Sequence, residues 1–180
     1  MKIKVDKVEI EVAQGDIASQ QDVEAVVNAA NAHLATGAGV AGALHMAAGP
    51  NLYMECKPLA PISPGEAVIT SAYNLPNKKV IHCLGPVYGQ DKPEDQLLAD
   101  CYVNSLRLAE ENKLSSIAFP AISTGAFGYP FSQAMEITFK TILKEVPALE
   151  HVQRIKFVLY SDGDYRLYVQ KLKTLGEEFN

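Results

Sequence analysis

The chain has 180 residues, 48% of them hydrophobic and 21% charged, and a formal net charge of −5. That is one ordinary domain with enough apolar content for a buried core. The acidic balance argues against a broad nucleic-acid footprint, although not against a single nucleotide. No run approaches membrane-spanning length.

Lys2 to Val12 alternates apolar and polar residues, which predicts one or two strands with a solvated face. It lacks the apolar core of a signal peptide, so a cytoplasmic location is expected. Gln14-Gly15-Asp16-Ile17 forms a turn, and Asp22 is read as the cap of a short helical turn. Glu24 to Asn28 is a short buried strand. Helices are expected from about Val40 to Ala48 and from about Pro50 to Leu59, after which three prolines enforce a loop. Strands follow over Glu66 to Ala72 and Lys79 to Leu84, joined by the turn Asn74 to Asn77. Pro93, with Glu94 and Asp95, opens a helix whose stripe runs through Leu97, Leu98, Cys101, Tyr102, Leu106 and Ala109. Beyond it come a strand at Ser115–Pro120, a helix from about Ser132 to Val146, and a strand at Ile155–Tyr160. Asp162 or Asp164 caps a last helix.

Apolar strands alternating with helices predict an α/β fold in three layers, α/β/α, around a mixed, mostly parallel sheet. The two leading strands and the 66–84 pair have no helix between them and supply the mixed character. The whole chain, 1–180, reads as one domain. Ligands bind such sheets beyond the carboxyl ends of the strands, and Asn28, Ala121 and Tyr160 all fall at such ends.

Two segments carry the chemistry. The first is Asn28-Ala-Ala-Asn31 followed by Gly37-Ala-Gly39-Val40-Ala-Gly42, where glycines and alanines lead into a helix. Free amides and the positive end of the dipole at a helix start favour an anion. No Lys or Arg occurs between Val8 and Cys56, so backbone donors would hold it. Read literally, Gly37-x-Gly39-x-x-Gly42 is a dinucleotide fingerprint. Eight residues separate it from Asn28, however, and no acid ends a following strand, so that reading is weak. The second segment is Ala121-Ile-Ser123-Thr124-Gly125-Ala126-Phe127-Gly-Tyr-Pro130, again small residues between strand and helix, with no Lys or Arg from Leu114 to Phe139. Two such loops facing one another suit a diphosphate, with hydroxyls from Ser123 and Thr124.

Several residues keep two readings. Phe127 packs on a sugar or fills the core, and Tyr160 stacks on a base or fills the core. Asp16 accepts from a purine amino group or caps a turn. His45, on the first turns of the helix, is a base or, as we favour, a structural residue. Cys56, Cys83 and Cys101 sit among apolar neighbours as inert thiols, and the four histidines are too dispersed for a metal site.

Gly15-Asp16-Ile17, Val27-Asn28-Ala-Ala-Asn31, the glycine-rich run to Pro50, Pro64-Gly65-Glu-Ala-Val-Ile-Thr70, His82-Cys-Leu-Gly-Pro86 and Pro120 to Pro130 together resemble a macro domain nearly end to end. The likeness is to the bacterial MacroD-type proteins, which hydrolyse mono-ADP-ribosyl esters and O-acetyl-ADP-ribose. It implies that Asp16 and the Ile17 backbone hold adenine and that Tyr160 stacks on it. It further implies that Asn31 fixes the distal ribose with Asn28 shaping the loop. Gly37, Gly39, Val40 and residues Ser123 to Phe127 would cradle the diphosphate. Our own reading of the chemistry assigns catalysis to Asn31, Gly39 and Phe127, without metal or cofactor: a substrate phosphate helps deprotonate a water held near Gly39 and Phe127, and Asn31 aligns the ribose. Two departures stand out: MacroD-type enzymes usually carry an aspartate where this chain has Ala41, and Ala38 interrupts the glycine run. ADP-ribose, O-acetyl-ADP-ribose and mono-ADP-ribosylated proteins are the partners implied for a hydrolase. A non-catalytic ADP-ribose reader and a regulatory partner of an RNA-processing enzyme are the alternatives.

Overall fold

The structure, a computed structural model, describes residues 1–179. Seven strands form one sheet in the order β1-β2-β7-β6-β3-β5-β4. They are β1 (Lys2–Val5), β2 (Val8–Gln14), β3 (Ala25–Ala29), β4 (Ala67–Ser71), β5 (Lys79–Cys83), β6 (Ser116–Phe119) and β7 (Arg154–Leu159). The inner five run parallel, whereas β1 and β4 pair antiparallel with β2 and β5 at the two edges. These two pairs are the ones expected to be sequential, and their short connections permit only that direction.

The helices are α1 (Gly39–Ala48), α2 (Pro50–Cys56), α3 (Glu94–Glu111), α4 (Phe131–Glu145) and α5 (Asp162–Phe179). The period-2 alternation of β3, β5, β6 and β7 feeds two cores. Ala25, Val27, Ile81, Cys83, Ile117, Phe119, Ile155 and Phe157 pack beneath α3, α4 and α5. Val26, Val80, Ala118 and Val158 pack beneath α1 and α2 with Leu44, Leu52 and Cys56. The sheet is therefore covered on both faces, which gives the three layers expected. Among the described residues no helix is long and apolar enough to cross a membrane.

One local expectation fails. The helical turn before β3 is a 3-10 turn at Ile17–Ser19, capped by Asp16, whose Oδ1 accepts from the Ala18 amide at 2.9 Å. Asp22 caps nothing. Its carboxylate accepts from Lys156 Nζ at 3.1 Å and from Arg154 at 2.6 Å, two cations that β7 presents near the start of β3. A distant pairing outbids a local cap here, because Lys156 is buried and requires a counter-charge.

Candidate functional site

Because five neighbouring strands are parallel, their carboxyl ends lie along one edge of the sheet. A cleft of about 780 Å³ opens there. Its wall is drawn from the end of β2 (Gly15, Asp16, Ile17), from β7 and the start of α5 (Val158, Leu159, Tyr160, Asp164), and from the loop after β6 (Pro120 to Phe127). The end of β3 (Ala29, Ala30), the start of α1 (Ala38, Gly39, Val40, Ala43) and Gly85 beyond β5 complete it. From β2 to β5 there are four inter-strand steps, roughly 19 Å at the usual strand spacing, which makes the cleft long rather than deep.

Both sequence-predicted loops face this cleft. On α1 the amides of Gly39, Val40 and Ala41 precede the first intrahelical bond, from Gly42 N to Ala38 O at 3.4 Å. No side chain caps them. Gly39 holds φ +59, which explains a glycine at that point, and a Cβ there would meet open space on the cleft side. In the opposite loop the amides from Ser123 to Phe127 donate to no protein acceptor among the described residues. The loop is held instead by Gly128 N to Gly125 O at 3.0 Å, Tyr129 N to Ser123 O at 2.9 Å and Tyr88 N to Phe127 O at 2.9 Å. Two banks of unspent N–H donors thus converge, and no Lys or Arg lines the cleft.

The ends of the cleft differ. At the β2/β7 end stand Asp16, Tyr160 and Asp164. Tyr160 is 86% exposed, so its ring is a rim group and not core. Asp16 caps the 3-10 turn and lines the cleft as well, so both of its readings are compatible. At the β3/β5 end, around Gly39, Gly85 and Phe127, the lining contains no ionisable side chain. Phe127 is half-buried against the core beneath α1, so part of its ring remains available to a ligand.

Three sequence-predicted residues, Asn28, Asn31 and Gly37, are not where they were expected, and His45 is a buried residue of α1. Asn28 is fully buried and does not line the cleft; strand alternation turns it under α1, where its Nδ2 donates to His82 Nδ1 at 3.0 Å. Asn31 does not line the cleft either. Its carboxamide closes on Ala35, donating to the carbonyl at 2.9 Å and accepting from the amide at 3.0 Å. Gly37 does not line the cleft, and its carbonyl oxygen fills the space that a Cβ on Gly42 would need. His45 belongs to the buried face of α1 with Ala41, Leu44 and Ala48, and neither ring nitrogen has a partner. Burial pushes its pKa down, and the ring does not line the cleft.

Gly85 and Asp164 were not singled out in the sequence. The Leu84-Gly85-Pro86 break after an apolar strand was a legible sign for the first, whereas the acidic start of α5 reads equally well as an ordinary helix cap. Among the described residues no group of three or more His, Cys, Asp or Glu side chains could hold a metal ion.

A cleft along a parallel sheet edge that offers backbone donors, and no cations, to a pair of linked phosphates defines an anionic-nucleotide-binding domain of the macro type. The Macro domain family model matches residues 27–138, and the chain belongs to that family. It is 46% identical over 177 residues to the O-acetyl-ADP-ribose deacetylase of Escherichia fergusonii, covering 96% of this chain and 99% of that one. The Oceanobacillus iheyensis macrodomain with ADP superposes with a TM-score of 0.93 at 41% identity, covering 99% of this chain and 97% of that one. The Trypanosoma brucei macrodomain in complex with ADP-ribose superposes with a TM-score of 0.84 at 34% identity, covering 91% and 68%.

Proposed function

We propose that this protein binds ADP-ribose and hydrolyses acyl esters on its distal ribose, with O-acetyl-ADP-ribose and proteins mono-ADP-ribosylated on Asp or Glu as substrates. The observation that carries the proposal is the pair of amide banks facing each other across one cleft, in a chain nearly half identical to a named O-acetyl-ADP-ribose deacetylase. In this reading residues 1–180 act as one macro domain. Adenine lies at the β2/β7 end against Tyr160, near the Asp16 carboxylate and the Ile17 backbone. The diphosphate spans Gly39-Val40 and Ser123 to Phe127, and the distal ribose reaches Phe127 and Gly85. Three free, buried thiols suit a reducing compartment, the cytoplasm.

The chemistry follows from what the distal end lacks. With no ionisable side chain there, a substrate phosphate oxygen takes the proton of a water held between Gly39 and Phe127. The water oxygen bonds to the ester carbonyl carbon, the C–O bond to the ribose breaks, and the ribose oxygen leaves with the proton. The products are ADP-ribose and a carboxylic acid. The protein contributes position and charge stabilisation, which suffice for an activated ester. Asn31 acts on this geometry by ordering the 31–35 turn that feeds α1.

The test pairs binding with turnover. ADP-ribose at 100 times its Kd should stabilise the fold by about 2.7 kcal/mol. Incubation with O-acetyl-ADP-ribose or a glutamate-linked ADP-ribosylated protein should release ADP-ribose. A folded protein that takes up no ADP-ribose in calorimetry overturns the reading. Loss of turnover in Ser123→Ala with affinity intact would replace the water by a serine nucleophile.

One observation favours a second reading, an ADP-ribose reader. Ala41, buried on the first turn of α1, provides no carboxylate where MacroD-type enzymes usually have one. Ala41→Asp separates the two: a large gain in turnover from a near-zero baseline marks the natural protein as a reader.

A further inference from the structure

Beneath the cleft floor lies a buried polar chain that the proposed chemistry does not use. His82 on β5 and Asn28 on β3 are register partners, both wholly buried on the face under α1 and α2. Asn28 Nδ2 stands 3.0 Å from His82 Nδ1, and Thr70 Oγ1 stands 2.9 Å from His82 Nε2. The single Thr70 hydroxyl proton is directed at the Ser71 carbonyl, 3.1 Å away. With its proton on the Ser71 carbonyl, Thr70 accepts from His82, and the assignment consistent with that bond puts the His82 proton on Nε2 and leaves Nδ1 as an acceptor. The Asn28 amide is then fixed as the donor, and its Oδ1 has no partner. An apolar pair of the same shape would avoid that orphaned acceptor, so the pair is poorly explained as a stability device.

Its place in the fold supplies another explanation. Beyond Asn28 the chain passes directly to Ala29 and Ala30 on the cleft floor, and beyond His82 to Gly85 on the distal wall. The ladder between the two strands continues to that edge, with the Ala30 amide donating to Cys83 O at 2.9 Å. Among the described residues the His82–Asn28 bond is the one side-chain hydrogen bond between β3 and β5.

We propose that His82 is a positioning residue: through Nδ1 it locks Asn28, and so fixes the β3 end and the turn at Asn31 against Gly85 where the distal ribose is held. The inference rests on the functional reading above. Burial, with the neighbouring His45 adding to it, drives the pKa of His82 down to about 3, so the ring stays neutral and its tautomer constant across the working pH range. His82 thus acts by geometry, never by proton transfer.

Two isosteres separate the two ends of the ring. In His82→Asn the new Oδ1 takes the place of Nδ1 and keeps the Asn28 bond while losing Thr70. In His82→Gln the new Nε2 keeps Thr70 and loses Asn28. Both should unfold at lower temperature than the natural protein. His82→Asn should keep kcat on O-acetyl-ADP-ribose within about threefold, whereas His82→Gln should lose tenfold or more, since misplacement near 1 Å can cost about a hundredfold. That loss should exceed the change in ADP-ribose Kd and be the same at every pH tested. Thr70→Val, a milder change because Cys56 Sγ remains 3.6 Å from Nε2, should lower stability and spare kcat.

Amide NMR shifts of Ala30 and Asn31 give a readout independent of turnover: they should move in His82→Gln and hold in His82→Asn. Equal kcat losses that follow the fall in melting temperature would overturn the proposal, as would wild-type kcat in His82→Gln. If the natural protein showed no turnover, the hydrolase reading would fail, and the amide shifts would still decide whether His82 sets the β3 end.

Discussion

The sharpest test of the cleft's construction is Gly85→Ala. Gly85 closes the distal wall, and the loop after β6 is wedged against its Cα. A Cβ at this position would overlap the Ser123 hydroxyl and stand 2.7 Å from Ile122 Cγ2. The hydroxyl could rotate away, but Ile122 is 1% exposed and has nowhere to go. Restoring carbon–carbon contact at 3.5 Å or more requires a shift of about 0.8 Å in the loop that carries the second amide bank. Overpacking of this kind costs about 1–3 kcal/mol. For a chain of this size that corresponds to a Tm lower by roughly 2–12 °C. The shift moves the amides of Ser123 to Phe127, so ADP-ribose affinity and turnover should fall with stability. Ser123→Gly removes the overlapping side chain and relieves a non-glycine residue at φ +65. The double variant should therefore recover part of the loss, giving a coupling of about 1 kcal/mol in a double-mutant cycle. Urea denaturation and calorimetric titration of all four proteins supply the numbers. A Gly85→Ala protein with natural stability and affinity would show that the loop is not braced on the β5 end, and strict additivity with Ser123→Gly would remove Ser123 from the argument.

Tyr160→Ala should weaken ADP-ribose binding about 5- to 150-fold, the equivalent of one lost base stack at 1–3 kcal/mol, without lowering Tm, because the ring is 86% exposed. Since no Lys or Arg lines the cleft, the Kd for ADP-ribose should change less than about threefold between 50 and 500 mM salt; a steep dependence would place an unrecognised cation on the diphosphate. Glu24 joins the start of β3 to that of β6: Lys78 first, then the Ser115 hydroxyl and amide, hold its carboxyl at about 2. A depressed folded-state pKa contributes stability that is present above the ordinary value near 4.5 and lost as the pH falls from there toward 2. Glu24→Gln should thus be less stable than the natural protein at pH 6 and nearly equal to it at pH 2, as read from Tm against pH.

The chain itself determined a good deal. Period-2 and period-3.6 patterns placed the strands and helices, because amphipathic elements must turn their apolar side to a core whichever partner they meet. The two glycine-lined loops were legible for the same local reason: small residues at a strand end, with no cation in reach, leave backbone amides as the available donors. Tertiary structure decided which of the conspicuous polar residues face the cleft. Asn28 looked like a ligand-binding residue, but strand alternation sets it beside Val26 on the underside, and only the parallel pairing with β5 brings it to His82. His45 stood near the loop in sequence, yet α1 buries the stripe that contains it. Asp22 read as a local cap until β7 brought Lys156 and Arg154 alongside. Gly85 acquired its role when the sheet order set β5 and β6 on either side of β3 and drove Ser123 against it. A chain's local periodicity fixes which face of an element is apolar, whereas strand order is settled by contacts between residues dozens of positions apart, and the site is made of those contacts.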